Sequence, residues 1–462
     1  MSTVPDHFSQ SRSLSDRDTE KNHGCKEVSF DVGDPLDATQ FSRIRKWYFT
    51  FLASMLVLNA TLASSATSGI LSGIIRRFDI SSEVALLSTS LYIFGYVLGP
   101  FLWAPLSEMF GRRPIYIISY LPYICFSLGC GLSQSVASLI IFRFFAGVCA
   151  AAVLVLCPGT ITDIWDARRR GSLFCAHYWW VYREFNWYTS PPFENLISGV
   201  LFIVMVFTLP ETYRPILLVK KAEQMRKETG DHSYYAPMER DGRSLAGVLR
   251  ISFSRPFRML FGEEIVFLTS VYVAFVYGLL YLLFGAYPIV FQENHRFGHG
   301  VGGLPFIGLA LGCAIAALVQ VWDAKRDLKT PEDRLLITIM GGPALVAGLF
   351  WFAWTGTSNV HWIVPTLAGV PLGFAILTLF IGFLNYLTDV YLAYAASVMA
   401  ANTVLRSLAG AGFPLFTKQM FENLGVQHAG SILGAFAVFL APMPHLFVKY
   451  GPAIRARSKF TS

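Results

Sequence analysis

The sequence predicts an all-α integral membrane protein of many spans, and three observations carry that reading. Of its 462 residues, 54% are hydrophobic, 15% aromatic and only 15% charged, with a mean hydropathy of +0.48. That apolar content exceeds what a soluble core of this size needs. Eleven apolar runs are candidate spans. Finally, 30 of the 37 lysines and arginines lie at the termini and in alternate connections, whereas the other connections hold only Arg76, Arg77, Arg296 and Lys418. A net charge of +7 would suit nucleic acid, but the basic residues are dispersed between apolar runs without a patch or binding motif, so no nucleic-acid partner is expected. Their alternation is a topology signal.

Residues 1–46 are polar and aperiodic, so a disordered cytosolic N-terminus is expected, with no cleaved leader and the first span acting as the signal. The candidate spans follow at 48–71, 84–106, 114–134, 136–161, 196–210, 265–288, 301–322, 335–356, 362–384, 392–416 and 430–449. A helix needs about 20 predominantly apolar residues to cross, and all but the fifth approach that length. The positive-inside rule puts both termini and the long connection 211–264, with its ten basic residues, in the cytosol. Arg168–Arg170 and Arg214 must then lie on one face, so an even number of crossings separates them. Either residues 172–193, which are long enough, cross together with 196–210, or neither crosses and the two form a re-entrant or interfacial pair. Arg183 and Glu184 fall in the middle of 172–193, at a few kcal/mol each, and make it a poor span.

The second run enters the stretch "APLSEMFGRRP" from Ala104 to Pro114. A carboxylate facing two guanidinium groups across a tight glycine turn can latch two helices, which assigns Glu108, Gly111, Arg112 and Arg113 to a conformational latch. Glu211 and Arg214 are expected to latch the other end of that half. Arg143 stands seven residues into the fourth run, where the cost of a buried charge marks it as a functional candidate facing the bundle interior. Polar residues inside other runs outline a cavity: Asn59 in the first, Tyr277 in the run 265–288, Asn385 beside the run 362–384, and Asn402 with Arg406 one turn apart on one helix face. Intramembrane acids are scarce, and no partner for Arg143 stands out. None of the seven cysteines has metal-ligand or CxxC spacing, and no nucleophile and base pair is present, so neither an enzyme nor a cofactor is expected.

The "APLSEMFGRRP" stretch resembles the signature loop of the major facilitator superfamily, with Glu108 at its usual Asp position and Ala104 at its usual first Gly. The resemblance narrows to the fungal twelve-span drug:proton antiporters through "FRFFAG" at 142–147, "DIWDARRRG" at 163–171, "LPETYRPILL" at 209–218 and "NYLTDVYLAYAASVMAANTVLRS" at 385–407. It implies two six-helix halves, at 47–210 and 265–450, joined by the cytosolic connection 211–264, with a cytosolic tail at 451–462. It further implies export of a small amphipathic molecule by proton antiport with alternating access, proton coupling near Arg143, a plasma-membrane location and a monomer. The family's Gly-Pro-rich fifth-span motif is missing between Gly171 and Ile197, so that span is expected to be degenerate. The alternative is a non-transporting membrane sensor or degenerate paralogue.

Overall fold

The computed structural model describes residues 26–31, 33–69, 71–165, 191–240, 245–298, 301–323, 326, 330–391 and 394–458. The first half contains α1 (Arg43–Gly69), the short amphipathic α2 (Leu71–Phe78), α3 (Ser82–Phe110), α4 (Arg112–Leu132), α5 (Val136–Ile164) and α6 (Pro191–Thr208). Local chemistry sets their ends. Ser81 caps α3 by accepting from the Val84 amide, and Ser135 with Ser138 forms a capping box that opens α5. Gly111, at φ +96, closes α3 and opens α4, a backbone conformation that side-chain-bearing residues rarely adopt. The segment 172–193, expected to be a degenerate fifth span, lies outside the described residues except for 191–193, the first residues of α6.

A central region carries α7 (Arg214–Thr229) and the amphipathic α8 (Leu245–Gly262). The second half contains α9 (Glu264–Pro288), α10 (Phe306–Asp323), α11 (Leu335–Thr355), α12 (Ile363–Val390), α13 (Ala395–Leu440) and α14 (Met443–Arg455). Gly425, at φ +73, divides α13 into two arms. The first arm runs parallel to α9, Gly410 lying on Tyr277 and Thr417 beside Gly285. The second runs back along α11, with Gly434 on Phe350 and Gly342 against Ala441. Gly425 therefore joins two spans by a reversal. With α6 included, each of the eleven apolar runs is mainly helical in its described residues.

The halves repeat one packing device. Gly95, Gly99 and Gly147 bring the backbones of α3 and α5 into contact, and Gly308, Gly312, Gly369 and Gly373 do the same for α10 and α12, the corresponding pair. A Cβ at Gly147 would overlap the Tyr92 carbonyl, and one at Gly308 the Thr366 carbonyl. Small residues let helices approach where lipid supplies no hydrophobic drive. The halves meet where α3 faces the first arm of α13: Val97 and Phe101 cluster with Val404, and Lys418 Nζ donates to Ser82 Oγ at 3.4 Å.

Of residues 1–46, expected to lack structure, 1–25 and 32 lie outside the described residues, 43–46 open α1, and the stretch from Lys26 to Asp34 folds onto the central region. Strand β1 (Lys26–Glu27) pairs in parallel with β2 (Tyr234–Tyr235), and Val28 packs against Ala222 and Ala236. Lys221 Nζ donates to Asp34 at 2.6 Å, while Arg214 and Lys221 both sit over the Phe30 ring. Composition hid this clasp because a two-residue ladder needs a strand more than 200 residues away, as the Lys26 to Asp231 ion pair shows with a separation of 205. Lys221 holds the Asp34 carboxyl below its usual range, and Asp34 raises Lys221 above its own. The pair is thus fully charged above the usual carboxylate range and below the usual lysine range, and its contribution is lost only toward acid or strong base. Lys221→Met is expected to loosen the clasp by about 1 kcal/mol, or roughly fivefold faster amide exchange over residues 26–40. Hydrogen exchange checks this, and in the parent protein the protection that the pair provides should be unchanged between about pH 5 and 9.

Candidate functional site

The basic face of the bundle carries a latch, though not the expected one. Glu211 lies just beyond α6 and accepts the amides of Arg112 at 2.8 Å, Arg113 at 3.1 Å, Thr212 at 3.0 Å and Tyr213 at 2.9 Å. A carboxylate at the N-terminus of α4 satisfies amides that lack helical partners and faces the positive end of the helix dipole. Gly111 is required there, because a Cβ would overlap the Glu211 carboxylate. The Arg112 guanidinium rests over Gly159 and 4.7 Å from the Tyr213 ring centroid, donating to Asp163 at 3.2 Å and Ser107 Oγ at 2.6 Å. Arg113 donates to the Val206 carbonyl at 3.0 Å.

Glu108, expected to face the two arginines, makes no hydrogen bond or ion pair among the described residues. It lines a cleft of about 490 Å³ with Phe101, Ile251, Arg255 and Tyr394. Arg214 belongs to the N-terminal clasp rather than the latch, because its guanidinium lies over Phe30. The start of the central region lies on the same face as the signature turn and the end of α5.

The second half carries a counterpart with inverted charges. Arg455, at the end of α14, reaches Glu332 with Nε 2.9 Å from Oε1 and Nη2 donating to Oε2 at 3.0 Å, while Arg334 pairs with Asp389 at 2.8 Å. Asp163, Glu332, Arg334, Asp389 and Arg455 were not among the expected latch residues. The only sequence signal was an acid or base at the end of each apolar run.

Deep in the first half, Arg143 and Asn59 belong to one buried polar cluster. Asn59 Oδ1 accepts from Tyr120 at 2.9 Å, Tyr123 at 3.1 Å and Ser198 at 2.8 Å. Tyr123 also donates to Glu194 Oε1 at 3.4 Å. Arg143 Nη1 donates to the Ala63 carbonyl at 2.8 Å, and its guanidinium lies 5.6 Å from the Tyr92 ring centroid. Glu194 is 5% exposed and close enough for its charge to interact with that of Arg143. The sequence reading missed Glu194 because the fifth apolar run was counted from residue 196. Extending it by one turn would have placed Glu194 and Ser198, at i and i+4, on one face.

The second half places Asn402 and Arg406 together with Tyr277. The Arg406 guanidinium lies 5.3 Å from the Tyr277 ring centroid and 5.2 Å from that of Phe380. Asn402 is fully buried and donates to Ser270 Oγ at 3.4 Å. Tyr277 adjoins Tyr281, whose hydroxyl lies 3.1 Å from Ser64 Oγ of the first half. Asn385 is not part of this group. It sits five residues beyond Phe380, about 7.5 Å nearer the basic face, and makes no side-chain hydrogen bond among the described residues.

The Major Facilitator Superfamily profile matches residues 52–178 and 180–414. The chain is similar to the major facilitator superfamily multidrug transporter mdrA of Aspergillus fumigatus, 41% identical over 96% of this chain and 77% of that one. It is 39% identical to an MFS-type efflux pump of Trichophyton rubrum over 94% of this chain and 77% of the relative. A Candida albicans major facilitator superfamily multidrug transporter is 34% identical over 94% and 76%. Among solved structures, the proton:xylose symporter XylE bound to 6-bromo-6-deoxy-D-glucose has the same fold, with a TM-score of 0.64, 17% identity, and coverage of 88% of this chain and 97% of XylE.

Proposed function

The chain belongs to the major facilitator superfamily, and on that premise we propose that it exports small amphipathic compounds from the cytosol across a fungal plasma membrane in exchange for protons. It is a multi-pass membrane transporter whose relatives are named multidrug transporters and efflux pumps. Substrate binds near mid-membrane between the halves, and the halves rock to expose it to either side in turn. The protein works as a monomer, since each chain supplies both halves.

The observation that supports proton exchange is Glu194. A proton carrier must titrate, and arginine stays protonated, so Arg143 can only tune a partner. Glu194 is a buried carboxylate within reach of that charge, and Tyr123, Asn59 and Ser198 link it to α4 and α1. Protonation would neutralise the carboxylate, change its attraction to Arg143 and bias the packing of α6 against α1 and α4. The basic-face latches, Glu211 with Arg112 and Glu332 with Arg455, hold each half together as a unit while the halves move.

Purified protein in liposomes tests this reading with three aromatic amphiphiles sharing one ring, an anion, a neutral amide and an amine. At least one is expected to accumulate against its gradient when a pH gradient is imposed, and to stop when the gradient is collapsed. If none responds to the gradient, proton exchange is wrong.

A further inference from the structure

Among the described residues, three charged side chains lie away from the membrane faces: Arg143, Glu194 and Arg406. Arg143 and Glu194 share a cluster, and Arg143 has a carbonyl acceptor. Arg406 has neither. Its guanidinium makes no hydrogen bond or ion pair among the described residues, and its Nε is buried without an acceptor. It stands eleven residues into α13, about 17 Å along the helix and so near the middle of a hydrocarbon core about 30 Å thick. An intramembrane arginine ordinarily pairs with a carboxylate or with backbone carbonyls.

The two helices that meet here carry further unsatisfied groups. Thr269 Oγ1 and Tyr272 Oη on α9, and Asn402 Oδ1 and Ser407 Oγ on α13, are buried without hydrogen-bond partners. Buried polar groups in native proteins are ordinarily paired, so unpartnered groups on the helices that carry Arg406 and Tyr277 need an explanation. The cation is flanked by two rings, Tyr277 and Phe380, themselves stacked with centroids 6.2 Å apart. The cage adjoins the boundary between the halves, because Val404 packs on Val97 and Phe101 and the Tyr281 hydroxyl meets Ser64.

We propose that Arg406, with Tyr277 and Phe380, is the binding site for an aromatic carboxylate, so that the exported compounds are amphipathic weak acids. The guanidinium fork matches a carboxylate bidentately, and the rings offer faces for a planar aromatic body. A lipid headgroup is a poor occupant, since the site lies near mid-membrane and the headgroups at its faces. An aromatic acid, partly soluble in the bilayer, can reach that depth. The site rests on the transporter reading above and names its substrate class.

Equilibrium binding to purified protein in nanodiscs tests the proposal without a pH gradient. The probes are 2-naphthoate, 2-naphthamide and 2-naphthylmethylamine, which differ chiefly in charge. The parent protein is expected to bind the naphthoate at least tenfold more tightly than the other two. Arg406→Gln should remove that preference, bringing naphthoate down to the affinity of the amide, and Arg406→Lys should restore part of it. Phe380→Leu should weaken all three by a similar factor. Tightest binding of the amine, equal binding, no binding of any probe, or a preference that survives in Arg406→Gln would each overturn the proposal. Because binding is read apart from flux, an intact preference with no gradient response would refute proton exchange alone. Charge-blind binding with gradient-driven flux would refute this site alone.

Discussion

Replacing Arg143 by alanine is expected to reduce gradient-driven transport by about a hundredfold while the chain still inserts and folds. The change leaves the Ala63 carbonyl without its donor and Glu194 without the cation whose field it shares. Stranding one member of a buried charged group costs roughly 3–5 kcal/mol, and about 1.4 kcal/mol is a factor of ten. Arg143→Lys should recover part of the rate, since the charge survives while the planar fork does not. Flux with and without an imposed pH gradient, at matched protein amounts, reads both variants. Full gradient dependence in Arg143→Ala would assign the residue to packing alone.

The second large effect is expected at the turn between α3 and α4. Gly111→Ala must place a side chain at φ +96 and against the Glu211 carboxylate, so the turn and its four-amide acceptor separate. An L residue in that backbone region, at ψ 167, costs about 1–3 kcal/mol before the overlap is counted. Amides that lose a carboxylate acceptor add about 1–3 kcal/mol each where water does not replace it. Transport should fall at least tenfold, and Glu211→Ala should reproduce much of the loss. Arg112→Ala should weaken the same assembly through Asp163, Ser107 and the Tyr213 ring. Glu108→Ala, by contrast, should leave the latch intact. A Glu108→Ala variant as impaired as Glu211→Ala would contradict the assignment.

The fold was legible because lipid imposes a one-dimensional signal. Apolar length and alternating basic loops can be read without knowing which residues touch, and each of the eleven apolar runs became mainly helical in its described residues. Pairing is a different kind of information. Glu108 attracted the latch role because it is four residues from Arg112, yet the turn is closed by Glu211, 99 residues from Arg112. A helix ending at Phe110 sends Glu108 to the cleft, whereas the end of α6 returns to the amides of α4. Arg143 was legible because a charge inside an apolar run is conspicuous. Glu194 was not, since it precedes its run by two residues and only the fold brings it beside Tyr123. Arg406 and Asn402 were legible as a shared helix face, but the Phe380 ring that completes the cage comes from a different span.

The central claim is that the exchanged proton travels on Glu194. Its most direct measurement is proton movement into or out of liposomes containing the purified protein, followed with a trapped pH dye as 2-naphthoate is added on one side. The parent protein is expected to move protons opposite to the naphthoate. Glu194→Gln, which keeps an acceptor for Tyr123 but cannot titrate, should bind naphthoate with unchanged affinity and move no protons. Substrate-dependent proton movement at the parent rate in Glu194→Gln would contradict the account.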